Sequence, residues 1–196
     1  MQQKDFLTLA AVEKADLEDL LALSAKVKKE PKEFKKALKR KVLAMIFQKS
    51  STRTRVSFEV GAYQLGGTAL FLSSADLQLG RGETLADTAR VLSRYVDGIM
   101  ARVYGHQDVA ELAAHATVPV INGLSDKYHP CQALADYFTM QEHVGTLAKK
   151  KLCFVGDANN VYRSLVYGGI KLGVNVTLAA PKAYQPSEVF LKAARQ

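Results

Sequence analysis

The sequence has few cysteines, no long hydrophobic run and no recognisable targeting segment. Only two of its 196 residues are cysteine, Cys131 and Cys153, and their spacing matches no disulfide motif. This argues against a disulfide framework and for a reducing compartment. No apolar run approaches membrane-spanning length, and residues 1–21 resemble neither a secretory signal nor a transit peptide. We therefore expect a cytoplasmic protein without membrane contact, or a mitochondrial matrix protein if a transit peptide has been removed.

Acidic residues are too few to balance the basic ones. The 27 Lys and Arg residues and 19 Asp and Glu residues give a formal net charge of +8, which favours an anionic partner. However, no basic run alternates with exposed aromatic residues, and the densest run, residues 28–41, is interpreted as a solvated helix face. This pattern argues against nucleic-acid binding.

Short apolar runs alternate with helical patterns along the chain. After an amphipathic helix near residues 17–28, strands are predicted at residues 42–47, 68–72, 98–103, 118–123, 151–156 and 174–181. Helices are predicted between them, and in one of these Val56, Val60 and Tyr63 recur at helical spacing. Repeated βα units indicate an α/β fold with a parallel sheet. A lysine-rich boundary near residues 146–151 is followed by only two βα units, so we expect one domain and the beginning of an incomplete second.

Hydroxyl and guanidinium side chains crowd into KSSTRTRVSFE, residues 49–59, where a strand is predicted to end and a helix to begin. Helix N-terminal amides carry partial positive charge and lack intrahelical acceptors. Hydroxyls add further donors, and a guanidinium matches the geometry of phosphate oxygens. The residue types therefore suit a phosphate site, but they also suit a simple helix cap with solvated arginines, and both interpretations stay open.

Further polar residues lie at predicted strand ends and helix starts. Arg102 ends the third strand, His129 and Gln132 flank the helix start at Pro130, and VGDANN occupies residues 155–160. Taken singly, Arg102 is typical of an ordinary strand-end charge and His129 of a solvated or structural histidine. The VGDANN turn lacks the G-x-G-x-x-G fingerprint, so it supports nucleotide binding only weakly. Ligands of open α/β sheets bind where parallel strands end, so these groups are expected to share one cleft.

Four segments together closely resemble the transcarbamylase family: residues 47–67, 77–106, 121–136 and 155–164. The S-T-R-T-R run is similar across the wider family, whereas H-P-C-Q and the Asn-Asn pair after Gly-Asp resemble its ornithine branch. Gln78 stands where the aspartate branch has a lysine. The resemblance runs collinearly over almost the whole chain, but the family's later D-x-x-x-S-M-G and H-C-L-P segments and its closing helix do not occur.

The resemblance implies an enzyme that transfers the carbamoyl group of carbamoyl phosphate to the δ-amine of L-ornithine, giving L-citrulline and phosphate in arginine biosynthesis or the urea cycle. It implies a parallel-sheet carbamoyl phosphate-binding domain over residues 1–147 and the beginning of a Rossmann-like ornithine-binding domain over residues 148–196. It also implies no cofactor and no metal, and a homotrimer with active sites at subunit interfaces.

The family's site residues map onto this sequence one by one. The resemblance assigns the phosphate grip to the first four of them: Ser51, Thr52, Arg53 and Thr54. It assigns the carbonyl oxygen, and with it catalysis, to Arg102, His129 and Thr54. Gln132 would accept a hydrogen bond from the carbamoyl NH2 through its side chain or a nearby backbone carbonyl, Gln78 would reach a neighbouring subunit's site, and Asn160 would contact ornithine.

Several alternatives to carbamoyl transfer to ornithine stay open. The amine could be another one, such as putrescine, because the loops that would select it do not occur. The chain could also be a non-catalytic phosphate-binding fragment, or a nucleotide-binding α/β protein that uses VGDANN. We expect the 196-residue chain alone to bind carbamoyl phosphate weakly, to make no measurable citrulline and to self-associate.

Overall fold

The computed structural model of the protein describes residues 3–74 and 82–195. Its strands are β1 (Val42–Phe47), β2 (Thr68–Ser73), β3 (Gly98–Arg102), β4 (Val120–Leu124), β5 (Lys151–Val155) and β6 (Asn175–Ala179). Its α-helices are α1 (Lys14–Lys29), α2 (Pro31–Phe34), α3 (Thr52–Gln64), α4 (Leu85–Leu92), α5 (His106–His115), α6 (Pro130–Val144), α7 (Asn160–Leu172) and α8 (Glu188–Ala194). A short 3-10 helix spans Lys182–Tyr184.

The strands form two parallel sheets. The first has four strands in the order β2-β1-β3-β4, and the second pairs β5 with β6. This arrangement confirms the predicted α/β class and the parallel pairing. In the first sheet Phe47 lies beside Arg102, so the end of β1 and the end of β3 meet at the same edge. The α3 N-terminus and Arg102 are therefore brought to one place.

Helices cover both faces of the four-stranded sheet. On one face Ala44, Ile46, Ile99 and Ala101 are fully buried in a cluster that also contains residues of α4 and α5. On the other face Met45, Phe47 and Met100 are buried, and Phe58 of α3 packs against them. Side chains on both faces of β1 and β3 are thus removed from water, which explains why these strands read as continuous apolar runs.

A second core packs α1, α6 and α7 together. It contains Leu17 and Leu21 of α1, Tyr137 of α6 and Leu165 of α7, all buried. The side chains of β5 and β6 that point towards α7 are partly buried against the same cluster. Because α1, α6 and α7 share these contacts, the side chains of β5 and β6 pack into the same core as α1 and α6.

The segment before α1 pairs with the edge of the four-stranded sheet. The Phe6 N–H donates to the Val120 carbonyl at 2.8 Å, and the Asn122 N–H donates to the Phe6 carbonyl at 2.9 Å. The Asp5 carboxylate accepts from the Val120 N–H at 2.8 Å. These bonds form a parallel bridge between Phe6 and Ile121, which covers part of an otherwise open strand edge.

Two local predictions differ from the structure. The helical spacing of Val56, Val60 and Tyr63 correctly indicates α3, but all three side chains are exposed, and Ala62 is the buried residue of this helix. The basic run at residues 28–41 is not one helix face, because α1 ends at Lys29 and turns follow the four-residue α2. Among the described residues, no helix is long and apolar enough to cross a membrane.

Candidate active site

The N-terminus of α3 is built by the hydroxyl-rich turn. Ser51 is the N-cap, and its Oγ accepts from the Thr54 N–H at 3.3 Å while it donates to Thr54 Oγ1 at 3.0 Å. Thr52 and Arg53 follow on the exposed side of the turn. The helix cap that the sequence predicted as an alternative to a phosphate site is therefore present. It leaves the exposed Arg53 guanidinium available to a ligand.

Arg102 reaches this turn from the end of β3. Its Nη1 donates to Thr54 Oγ1 at 3.4 Å, while its Nε is buried without a hydrogen-bond partner among the described residues. Burial lowers the pKa of Arg102, and the positive charge of Arg53 lowers it further. A partly buried guanidinium with an unused donor is a group that an anionic ligand would stabilise.

His129 is the N-cap residue of α6 and faces the same space. Its backbone N–H donates to the hydroxyl of Ser164 at 2.9 Å, and its Nδ1 is buried without a partner in the described part of the chain. Burial, followed by the charge of Arg102, lowers the pKa of His129 to about 4. The imidazole is therefore neutral at pH 7, and it can donate one hydrogen bond without carrying a charge.

These elements enclose a cavity of about 450 Å³. Six of the residues singled out from the sequence line it: Ser51, Arg53, Thr54, Arg102, His129 and Gln132. Cys131 also contributes to the wall, and burial raises its thiol pKa to about 12, so it stays protonated rather than becoming a nucleophile.

The charged side chains described on the wall of this cavity are all positive. Two guanidiniums and a helix N-terminus face it, and no carboxylate is among the described residues of its wall. Within residues 3–74 and 82–195, no three His, Cys, Asp or Glu side chains are grouped so that they could hold a metal ion. The arrangement can bind a small anion and donate hydrogen bonds to an adjoining oxygen.

A second cavity, of about 720 Å³, lies between α3 and the start of β1. Its wall is mainly apolar, and the two charged residues on it, Lys41 and Asp97, pair with each other at 2.7 Å. Because these charges are mutually compensated and Arg53 and Arg102 lie outside this wall, the larger cavity does not suit an anion.

Two predicted site residues do not line this cavity, and a third is not among the described residues. Thr52 is exposed and does not line the 450 Å³ cavity. Asn160 begins α7, and its side-chain Nδ2 donates to the Ser125 carbonyl at 2.7 Å. It therefore contacts the loop before His129 rather than the cavity wall. Gln78 lies outside the described residues.

Two residues with contacts to the site were missed from the sequence. Ser164 supports His129 from α7, and nothing in the local pattern indicates this, because the contact arises only when α7 packs against α6. Asp136 accepts from Gln132 Nε2 at 2.9 Å. Asp136 lies four residues after Gln132 on a predicted helix. This spacing could have indicated the contact, since residues i and i+4 lie on one helix face.

The chain is similar to known proteins along its whole length. The family profile described as aspartate/ornithine carbamoyltransferase, carbamoyl-P binding domain, matches residues 4–142, and the one described as Asp/Orn binding domain of the same family matches residues 148–196. The ornithine carbamoyltransferase of Anoxybacillus flavithermus is 54% identical over 198 aligned residues, and that of Thermococcus kodakarensis is 56% identical over 195.

Solved structures are similar as well. The ornithine carbamoyltransferase from Pyrococcus furiosus superposes with a TM-score of 0.93 at 55% identity, covering 97% of this chain and 62% of that one. The Anoxybacillus and Thermococcus relatives are covered to 63% and 62% of their lengths, with 100% and 98% of this chain aligned. The chain thus spans about three fifths of the length of the relatives it matches.

Proposed function

The chain belongs to the aspartate/ornithine carbamoyltransferase family, and we propose that it carries the carbamoyl phosphate site of an enzyme that carbamoylates the δ-amine of L-ornithine, giving L-citrulline and phosphate. The observation that supports this most strongly is the 450 Å³ cavity, where Arg53 and Arg102 face a helix N-terminus and no described carboxylate opposes them. Such a site favours a phosphate with an attached polar group over a neutral ligand.

The phosphate would lie at the start of α3. There the Ser51–Thr54 turn offers backbone N–H groups, two hydroxyls of the cavity wall and the Arg53 fork. Thr52 is assigned to this grip through its backbone position, because its side chain is exposed. When the δ-amine nitrogen bonds to the carbamoyl carbon, the bond from that carbon to the phosphate oxygen breaks and the nitrogen loses a proton to the departing phosphate. The negative charge of the phosphate stays against these donors.

The carbonyl oxygen would lie between Arg102, His129 and the Thr54 hydroxyl. Attack by the neutral δ-amine places negative charge on that oxygen, and each donor aimed at it contributes about 3 kcal/mol to the transition state. The low pKa of His129 fits this role, since a neutral imidazole N–H donates without repelling the two guanidiniums. We propose Arg102, His129 and Thr54 as the catalytic groups and Gln132 as the acceptor for the carbamoyl NH2.

The proposal extends to the second substrate and to the assembly. Asn160 is proposed to contact ornithine because it opens α7 within the region that matches the Asp/Orn binding domain. Gln78 is proposed to reach a neighbouring subunit's site in a homotrimer. A related Pyrococcus furiosus protein is described as anabolic, which supports a place in arginine biosynthesis rather than in the urea cycle.

A charge change at the helix cap tests the proposal. Ser51→Asp keeps a side chain that caps α3, because Asp is among the preferred N-cap residues, but it places a negative charge where the phosphate would bind. At a concentration of one hundred times the dissociation constant, carbamoyl phosphate should stabilise the unaltered chain by about 2.7 kcal/mol. We expect thermal unfolding to show this stabilisation in the unaltered chain and not in Ser51→Asp.

Ser187→Asp is the matched control. Ser187 caps α8 in the same way, since its Oγ accepts from the Phe190 N–H at 3.3 Å, yet it does not line the cavity. This variant should keep the full response to carbamoyl phosphate. An equal response in Ser51→Asp, or no response in the unaltered chain, would refute an anion site at the α3 N-terminus.

A further inference from the structure

Gln132 and Asp136 lie one turn apart on α6. The Gln132 Nε2 donates to Asp136 Oδ1 at 2.9 Å. Gln132 lines the 450 Å³ cavity, whereas Asp136 does not. Asp136 is half-buried, and burial raises the pKa of its carboxyl group, although the hydrogen bond from Gln132 acts in the opposite direction. The carboxylate therefore holds the end of the Gln132 side chain from outside the cavity.

The chemistry of the pair determines which end of the amide is free. An ionised carboxylate can only accept hydrogen bonds, so it fixes the NH2 group of the glutamine and leaves Oε1 as the unused end. Without such a partner, a glutamine amide can turn by 180° and offer either a donor or an acceptor at nearly equal cost. A carbamoyl group carries an NH2 donor, so only the Oε1 end of the amide can recognise it.

We propose that Asp136 is a positioning residue that holds the Gln132 amide with Oε1 free for the carbamoyl NH2. By doing so, it makes the site select carbamoyl phosphate over acetyl phosphate. Acetyl phosphate has the same phosphate and carbonyl groups but carries a methyl group in place of the NH2. This inference rests on the proposed function and adds to it the residue that sets acyl-group specificity.

A simpler role for the pair would be to stabilise α6. Pairs at positions i and i+4 are common on helix surfaces and contribute little to stability. That role predicts no change in ligand preference when Asp136 is removed. Removal of its negative charge would also strengthen the binding of every anion near Arg53 and Arg102, but phosphate, acetyl phosphate and carbamoyl phosphate would all gain alike. The ratio of two affinities therefore separates positioning from both effects.

The test compares dissociation constants for carbamoyl phosphate, acetyl phosphate and inorganic phosphate by isothermal titration. We expect the unaltered chain to prefer carbamoyl over acetyl phosphate, and Asp136→Ala to lower this preference about fivefold, towards that of Gln132→Ala. Adding Gln132→Ala to Asp136→Ala should then lower it little further, because both changes remove one shared function. Asp136→Glu, which restores an acceptor, should recover most of the preference.

Glu18→Ala is the matched control. Glu18 pairs with Lys14 at i,i+4 on α1 at 3.7 Å and does not line the cavity, so the variant makes the same charge change elsewhere. Its preference should be unchanged. An unaltered preference in Asp136→Ala, with a lowered one in Gln132→Ala, would overturn the positioning role alone. No binding of carbamoyl phosphate by the unaltered chain would overturn the proposed function and this inference with it.

Discussion

The two parallel sheets place similar apolar strands in different surroundings. In β1 the residues from Ala44 to Phe47 are all buried, whereas along β5 half-buried and exposed side chains alternate and Val155 is 80% exposed. Helices cover both faces of the first sheet, but in the described structure only the α7 side of the second sheet is packed. Exposed positions of β5 and β6 include the polar residues Lys151, Asn175 and Thr177, but Val155 is as apolar as the residues buried in β1. The exposure of Val155 therefore depends on which helices cover its strand.

The comparison also shows where the regions are joined. Tyr137 of α6 is fully buried, and its hydroxyl donates to the Leu165 carbonyl of α7. An added methyl group at Gly168 or Gly169 of α7 would meet the Tyr137 ring or hydroxyl, so the two helices approach closely there. Since α7 is the helix that packs on the second sheet, this contact should make the two regions unfold together.

The largest expected effect comes from removing that contact. Tyr137→Ala should lower the free energy of unfolding by about 3–5 kcal/mol, because it empties a large buried site and leaves the Leu165 carbonyl without its side-chain donor. Hydrogen exchange should show α6 amides and β5–β6 amides losing protection together. Tyr184→Ala, at an exposed position, is the control and should change little. Loss of protection in β5–β6 alone would mean that the regions are separate cooperative units.

A smaller decrease in stability is expected at low pH. It originates at His129, whose backbone N–H contacts Ser164 of α7. The pKa of His129 is about 4 in the folded chain, below its ordinary value of about 6.5, so the unfolded chain takes up this proton first as the pH falls. The free energy of unfolding should be constant above about pH 6.5 and decrease towards pH 4, by about 2 kcal/mol after allowance for partial exposure.

Urea denaturation between pH 4 and pH 7 measures this decrease. The difference in the free energy of unfolding between the unaltered chain and His129→Gln isolates the contribution of His129, because the remaining titratable groups are the same in both. Phosphate should raise the pKa of His129 by offsetting the charge of Arg102, and NMR titration of the imidazole would show it. Parallel pH profiles for the two chains would remove His129 as the source.

The smallest effect is expected on the outer face of the second sheet. Val155→Thr keeps a β-branched side chain at an 80% exposed strand position, so the free energy of unfolding should change by less than about 0.5 kcal/mol. The same change at the fully buried Val120 of β4, Val120→Thr, should cost several times more. If Val155→Thr cost more than about 1 kcal/mol, the outer face of β5 would be packed in solution.

Sequence patterns predicted the order of strands and helices well, because apolar runs and helical spacing are local. They also predicted that Arg53, Arg102, His129 and Gln132 lie at one sheet edge, since parallel strands end on the same side. They did not predict which face of α3 is buried, because Val56 lies on a helix surface that only the packing of neighbouring elements could reveal. The support of His129 by Ser164 was equally hidden, since it joins residues 35 positions apart.

The bridge between Phe6 and Ile121 has a consequence for how the chain folds. The two residues are separated by 115 positions, and closing a loop of that length costs about 4 kcal/mol of chain entropy by logarithmic scaling. The opening segment should therefore join the sheet late, after β4 has formed. During synthesis at about 5–20 residues per second, it would wait for roughly 6–23 s before its partner strand leaves the ribosome. Once β4 has emerged, its edge is open to pairing with another nascent chain until the opening segment docks.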